Sequence, residues 1–466
     1  MPELPQTIAE AARWLRNGQI TSQSLTENLL ARCHATQDTL AAFNVISDET
    51  ALAAARQADQ DFAAGRNLGP LQGIPLGIKD LLATADAPTT AHSRVLDPNW
   101  GKRQDATVVG KLRRAGAVIM GKLGLSEYAI GWPDPATGFA TPKNPWNLER
   151  FPGGSSSGTG TAVAAGLILG GLGTDTGGSI RSPSAFCGIS GIKPTFGRVS
   201  KEGCVPLSYS LDHIGPMAHT AYDCALLLQA MAGYDPTDPS TVNLPVPNML
   251  EKLNLEPAKL RIGLLHDYFF TAENLTQEVK ATVLAAIETF RQAGASVTEV
   301  TIPHAREGHM AQRIIMLTEA YTYHEPDLQA RPQLYGKYTR RYLYQGAVYT
   351  AADYIQAQRV RSLVKAECAA LLEKVDVLIM PSTTVTAPVF ATHDPDSGWD
   401  SPSMAAIWNL TGFPAMSVCC GFSNEALPIG MQIIAAPFNE PLVLGVAHAY
   451  QQLTDWHLRR PPVSIG

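Results

Sequence analysis

The chain has 466 residues, 45% of them hydrophobic and 17% charged, and a formal net charge of −6. That composition supplies an extensive core and excludes a disordered chain, and the acidic balance gives no basic footprint for nucleic acid. No Pro/Ser-rich linker, charge block or low-complexity run divides it, so one large domain is expected.

Taken in order, the N-terminus lacks a basic segment followed by an apolar one, and no uncharged run reaches about 18 residues, so neither secretion nor a membrane span is expected. Residues 7–65 read as a helical region: Thr7-x-x-Glu10 has capping-box spacing, Gly18 is a stop, and Ser24-x-x-Glu27 lies near the start of a second helix. Residues 42–46 read as a strand and 51–62 as an Ala-rich helix stopped at Gly65. A short apolar strand then ends in Lys79. Residues 105–115, with Asp105 as cap and Gly116 as stop, read as a helix and 117–120 as the next strand, a βαβ-like alternation that favours an α/β fold. Further on, 220–232 and 276–293 are helical by period, while 261–265, 297–302 and 375–380 are strands by β-branched content. The expected whole is a mixed, mostly parallel central sheet wrapped by helices. Residues 305–360 are tyrosine-rich and poorly patterned, suited to a variable cap over a pocket. Seven cysteines, Cys419-Cys420 among them, form no C-x-x-C pair and no Cys/His ligand spacing. No metal, cofactor or disulfide framework is indicated, and reduced cytoplasm is the expected compartment.

Two glycine-serine clusters stand out: Gly153-Gly154-Ser155-Ser156-Ser157-Gly158 and Gly173-Thr174-Asp175-Thr176-Gly177-Gly178-Ser179-Ile180-Arg181. Glycine is costly to order and packs nothing, so its concentration implies that backbone N–H groups approach a reacting group closely. The N–H groups of Thr176, Gly177, Gly178 and Ser179 can converge as an oxyanion hole while the Ser179 hydroxyl attacks. The small, apolar residues 161–169 suit a buried helix whose N-terminus faces the serines. Glycine-rich loops also cradle phosphates, but neither G-x-x-x-x-G-K-[ST] nor G-x-G-x-x-G is completed.

At these residues the chain resembles the amidase signature family. The match runs almost continuously over residues 153–195, extends upstream to Gly73-Ile74-Pro75-Leu76-Gly77-Ile78-Lys79-Asp80, and reaches Asn409-Leu410-Thr411-Gly412-Phe413-Pro414-Ala415 downstream. The resemblance implies a Ser-Ser-Lys triad, with Ser179 as nucleophile, Ser155 as the bridging serine after a cis peptide bond, and Lys79 as base. Lysine alone is almost always a surface residue, yet the apolar run Ile74 to Ile78 and the clusters after it place this one in the buried setting a neutral amine needs. Ser156, Asp175 and Arg181 are expected to brace the site, and Asp212 to be structural. The chain departs from the family at Gly121-Lys122-Leu123-Gly124-Leu125-Ser126-Glu127-Tyr128, where Thr-Asn ordinarily follows the glycine-lysine pair. The stiff aromatic stretch beyond it nominates Tyr128, Ile130, Gly131, Trp132 and Phe139 as substrate wall, with Trp408 as a further contact.

The resulting expectation is a stand-alone hydrolase of a small-molecule amide, monomeric or homodimeric, with no direct nucleic acid or membrane partner. Carbamate or ester cleavage shares the tetrahedral intermediate and stays open. The family also includes the glutaminase subunit of tRNA-dependent amidotransferases; Arg340-Arg341 supplies a cation for glutamine, but Ser401-Pro402-Ser403-Met404 offers no acid. A degenerate binding protein is disfavoured by the retention of Lys79, Ser155 and Ser179 together.

Overall fold

Apolar runs bounded by glycine and proline become strands, and runs of helical period become the helices that cover them. The computed structural model describes residues 4–392 and 402–463. Helix α1 (Ile8–Arg16) starts where the Thr7 hydroxyl accepts the Glu10 N–H at 3.1 Å. The Glu10 carboxylate reaches one residue past Thr7, to the Gln6 N–H. Helix α2 (Ser22–Leu40) is capped by Thr21 rather than Ser24. After β1 (Phe43–Ile46) and α3 (Asp48–Ala63), the chain forms β2 (Pro75–Lys79), α4 (Thr107–Arg114) and β3 (Val118–Leu123), with β2 and β3 parallel as the alternation implies. Asp105 does not cap α4; its carboxylate takes the Ala85 N–H at 2.9 Å and pairs with Arg113.

The signature residues fold as α5 (Ser157–Ala164), β4 (Gly170–Asp175), α6 (Arg181–Cys187) and β5 (Ser190–Lys193). Helix α5 therefore starts at the serines themselves, ahead of the stretch expected from composition. Then come β6 (His213–Ala218), α7 (Ala221–Met231), β7 (Arg261–Leu265), α8 (Gln277–Gln292) and β8 (Ser296–Val300). The poorly patterned stretch is helical: α9 (Ala305–Ala330), α10 (Lys337–Gly346) and the start of α11 (Ala351–Lys374). β9 (Val377–Pro381), α12 (Ala406–Thr411), β10 (Ala415–Phe422), β11 (Pro428–Ile434) and α13 (Glu440–Leu453) follow.

Among the described residues, eleven strands join one sheet in the order β1-β3-β2-β4-β6-β5-β10-β11-β9-β7-β8. It is mixed, but not mostly parallel: β2–β3, β2–β4, β7–β8 and β7–β9 are parallel pairs, and the other six are antiparallel. The hairpin β10–β11 must reverse because its connection, residues 423–427, is short, and β5 and β6 each run antiparallel to both of their neighbours. The middle of the sheet is buried on both faces; every residue of β2, β3, β4, β5 and β6 is buried. Among the described residues no helix is long and apolar enough to cross a membrane.

Candidate active site

Lys79 ends β2 in the middle of this sheet, with none of its surface exposed. Its Nζ lies 2.8 Å from Ser155 Oγ, 3.0 Å from Ser156 Oγ and 2.8 Å from Thr174 Oγ1. These three partners are all hydroxyls. Burial lowers its pKa to about 7, against a smaller upward pull from Cys204, Asp175 and Asp212. The hydroxyl network orients the amine: Ser156 donates its own proton to Thr174 O at 3.2 Å, so it receives an N–H from Lys79. A neutral amine has two N–H bonds and one lone pair; Ser156 takes one N–H, which leaves the lone pair to the Ser155 or the Thr174 hydroxyl, each at 2.8 Å.

The two serine clusters are held against each other by the Ser156 N–H, which donates to Ser179 O at 3.2 Å, and by Ser156 Oγ, which packs on β4. A Cβ at Gly173 would stand 2.8 Å from Ser156 Oγ, so β4 is glycine-rich because α5 sits on it so closely. The Gly154–Ser155 peptide bond is cis, in line with the resemblance. At Gly178, φ is +123° and a Cβ would lie 2.8 Å from that of Ala405, which leaves glycine as the residue that fits.

Asp175 and Arg181 brace the loop from behind. Both are fully buried; Arg181 Nε and Nη2 meet the two carboxylate oxygens at 3.0 and 2.8 Å, and other guanidinium bonds go to Ala405 O, Gln432 and Asn409. Burial alone would raise the pKa of Asp175, but the Arg181 guanidinium holds it well below the carboxylate range. The same carboxylate accepts the N–H groups of Gly178 and Ile180 at 2.8 and 3.0 Å. This corrects the expected oxyanion set: the Gly178 N–H is already engaged by Asp175. Among the described residues nothing accepts from the N–H of Thr176, Gly177 or Ser179. The Asp212 carboxylate takes the Thr176 hydroxyl at 2.6 Å and the Leu207 and Ser208 N–H groups.

Ser155, Thr176, Gly177 and Ser179 open on a cavity of about 460 Å³. Of the nominated wall, Ile130, Gly131 and Trp132 line it, with Trp132 packed on Phe151 at 4.5 Å. The other three do not. Tyr128 is buried edge-on to His324, Phe139 packs on His92 at 4.6 Å, and Trp408 is fully buried against Phe269. Trp408 turns inward because the α12 segment presents Met404, Ala405 and Ala406 to the cavity instead. The cation on the wall is Arg313; Arg340 bonds Pro332 O, and neither it nor Arg341 lines the cavity. Pro402, Ser403 and Met404 do line it, while Ser401 falls outside the described residues. His309, Gln312, Arg313 and Met316, one face of α9, also line it; sequence reasoning named none of them, because α9 packs on several partners and shows no simple apolar period. Among the described residues no cluster of His, Cys, Asp or Glu is spaced to hold a metal ion.

A family model described as Amidase matches residues 24–444. The chain belongs to the amidase signature family. Within this family it is 41% identical to a glutamyl-tRNA(Gln) amidotransferase subunit of Chloroflexus aggregans, over 98% of each chain. Among solved structures it is similar to a chain of a vestigial protein complex bearing on the origins of an s-triazine catabolic enzyme, with a TM-score of 0.88, 34% identity, and 96% of this chain and 98% of that one covered. It is also similar to the peptide amidase of Stenotrophomonas maltophilia, with a TM-score of 0.84, 31% identity and 99% of both chains covered. Amidase-family membership makes it an enzyme acting on amide C–N bonds, by hydrolysis or amido transfer.

Proposed function

We propose that the chain hydrolyses a carboxylic amide through an acyl-enzyme, with Ser179 as nucleophile, Ser155 as relay and Lys79 as base. The observation that carries this reading is the buried amine, brought to about 7 and 2.8 Å from the Ser155 hydroxyl at the edge of the cavity that Ser179 also lines. Ser179 Oγ bonds to the amide carbon as its proton passes to Ser155, whose own proton passes to neutral Lys79. The N–H groups of Thr176, Gly177 and Ser179 are the donors left to receive the oxyanion. As the C–N bond breaks, the leaving nitrogen takes the proton back through Ser155, and an acyl ester remains on Ser179. Water repeats the path and frees the acid. Loop donors of this kind each supply about 10²–10³ in rate.

A second reading is favoured by the full-length similarity to glutamyl-tRNA(Gln) amidotransferase subunits: the amide is glutamine, and the ammonia goes to a partner chain. Arg313 then suits the substrate's α-carboxylate, since a guanidinium pairs with a carboxylate through two hydrogen bonds. Carbamates and esters pass through the same intermediate and belong in the test. Purified chain is assayed alone on primary amides, aryl amides, glutamine and aryl carbamates; ammonia released from glutamine only after amidotransferase partner chains are added selects the second reading. In either, Ser179→Ala abolishes covalent labelling by a fluorophosphonate. Retained labelling overturns the triad.

A further inference from the structure

The oxyanion loop is held by Asp175 and Asp212, and one further contact to it comes from helix α9. Gln312, on α9 and only 3% exposed, donates an amide N–H to Thr176 O at 2.9 Å and has Met316 Sδ at 3.6 Å from the same nitrogen. Thr176 is thus held at two points, its carbonyl by Gln312 and its hydroxyl by Asp212.

The carbonyl contact matters because of the peptide plane. Thr176 O and the Gly177 N–H belong to one rigid amide unit, in which the C=O and N–H directions are locked together. A bond that fixes the oxygen therefore aims the hydrogen. The Gly177 N–H is one of the three loop donors, with those of Thr176 and Ser179, that nothing in the described protein occupies. Gly177 has no side chain to anchor it, and a Cβ placed there would lie 3.1 Å from Gln312 Nε2, so the two residues are in direct register. Glycine rotates freely about its backbone bonds, so without an outside anchor this unit would be the softest of the loop.

We propose that Gln312 is a positioning residue: through Thr176 O it aims the Gly177 N–H at the developing oxyanion and so couples helix α9 to the acyl-transfer step. The proposal rests on the acyl-enzyme reading above and adds to it a residue from outside the signature segment. It assigns Gln312 an effect on the transition state, although the side chain also lines the cavity where substrate would sit.

The test uses the full chain and an amide it turns over, with Gln312→Leu and the near-isosteric Gln312→Glu. Gln312→Leu is expected to lower kcat roughly 10- to 100-fold with KM within about threefold, and to weaken an aryl boronic acid, which forms a tetrahedral adduct, by the same factor while a product carboxylate binds as before. In Gln312→Glu, an ionised carboxylate repels Thr176 O, whereas a protonated one donates the same hydrogen bond. The rate of this variant relative to wild type therefore rises as pH falls. A Gln312→Leu variant with wild-type kcat, or one altered only in KM, overturns the proposal; should it fail to fold, a flat pH ratio in Gln312→Glu does so. Wild type that loses turnover on Ser179→Ala but keeps it in both Gln312 variants removes only the positioning role. Wild type without Ser179-dependent turnover removes the acyl-enzyme reading and this proposal together.

Discussion

Two buried lysines stand on neighbouring strands, Lys79 at the end of β2 and Lys122 within β3, and they differ in what surrounds the charge. Lys122 is 1% exposed and meets Asp80 Oδ1 at 3.1 Å, Leu82 O at 2.7 Å and Thr89 Oγ1 at 2.8 Å. Asp80 is itself fully buried and bonded to Asn44 and Thr90. Lys79, the residue just before Asp80, meets hydroxyls instead. Burial lowers both pKa values, but at Lys122 Asp80 opposes it, whereas Lys79 falls to about 7. The two lysines are equally deep and differ in their counter-ion, and the alternation of side chains along an extended segment separates the two environments within one peptide step.

The comparison breaks first at Lys79 itself. Lys79→Ala should lose about 10²–10⁴ in kcat near neutrality and recover part of it as hydroxide increases. Because only the neutral amine accepts a proton, the wild-type rate should climb with pH through about 7 and then level off. A Lys79→Ala enzyme with wild-type rate and pH profile would make Lys79 another Lys122. The converse is a stability experiment. Asp80→Asn leaves the Lys122 charge buried without its partner, which should cost about 3–5 kcal/mol in urea unfolding while the folded enzyme keeps its pH profile. An unchanged midpoint would show that Lys122 does not depend on that carboxylate. The smallest effect sharpens the far side of the cavity. Trp132→Ala should change relative rates across the amide panel by about 10-fold, and Phe139→Ala should leave them alone, since of the two Trp132 lines the pocket. Equal shifts from both would put Phe139 back on the wall.

How much of this the sequence disclosed depends on how local each signal was. Ser179, Asp175 and Arg181 lie in a glycine-rich segment whose composition has no ordinary packing explanation, while Ser155 and Lys79 were legible through the family resemblance; the structure places Lys79 on Ser155, Arg181 on Asp175, and the Ser156 N–H on Ser179 O. The α/β alternation around β2, α4 and β3 was legible from equally local signals. β4 was not read as a strand: Gly-Gly-Leu-Gly-Thr-Asp has the residues strands avoid, and they are tolerated because α5 approaches too closely for side chains. Gly178 was read as an oxyanion donor, yet its N–H is taken by a carboxylate three residues earlier, a turn that composition does not show. Trp408 was placed at the pocket on adjacency to Asn409, and one helical turn sends it into the core. Gln312 had no signal at all, because its partner lies 136 residues away.

The Arg181 guanidinium has an implication for the order of assembly. Its bonds to Asn409 and Gln432 span 228 and 251 residues, and Asn409 in turn donates to Asp175 O and Oδ1 from 234 residues away. Loop closures of that length are slow to form and are completed late in folding. During synthesis, a chain that has emerged only through α11 already contains Lys79, Ser155 and Ser179. It still lacks α12 and β11, and so has nothing at the far end of Arg181 to hold the Asp175 carboxylate under Gly178 and Ile180. Hydrolytic competence should therefore arrive once α12 and β11 have left the ribosome, well after Lys79, Ser155 and Ser179.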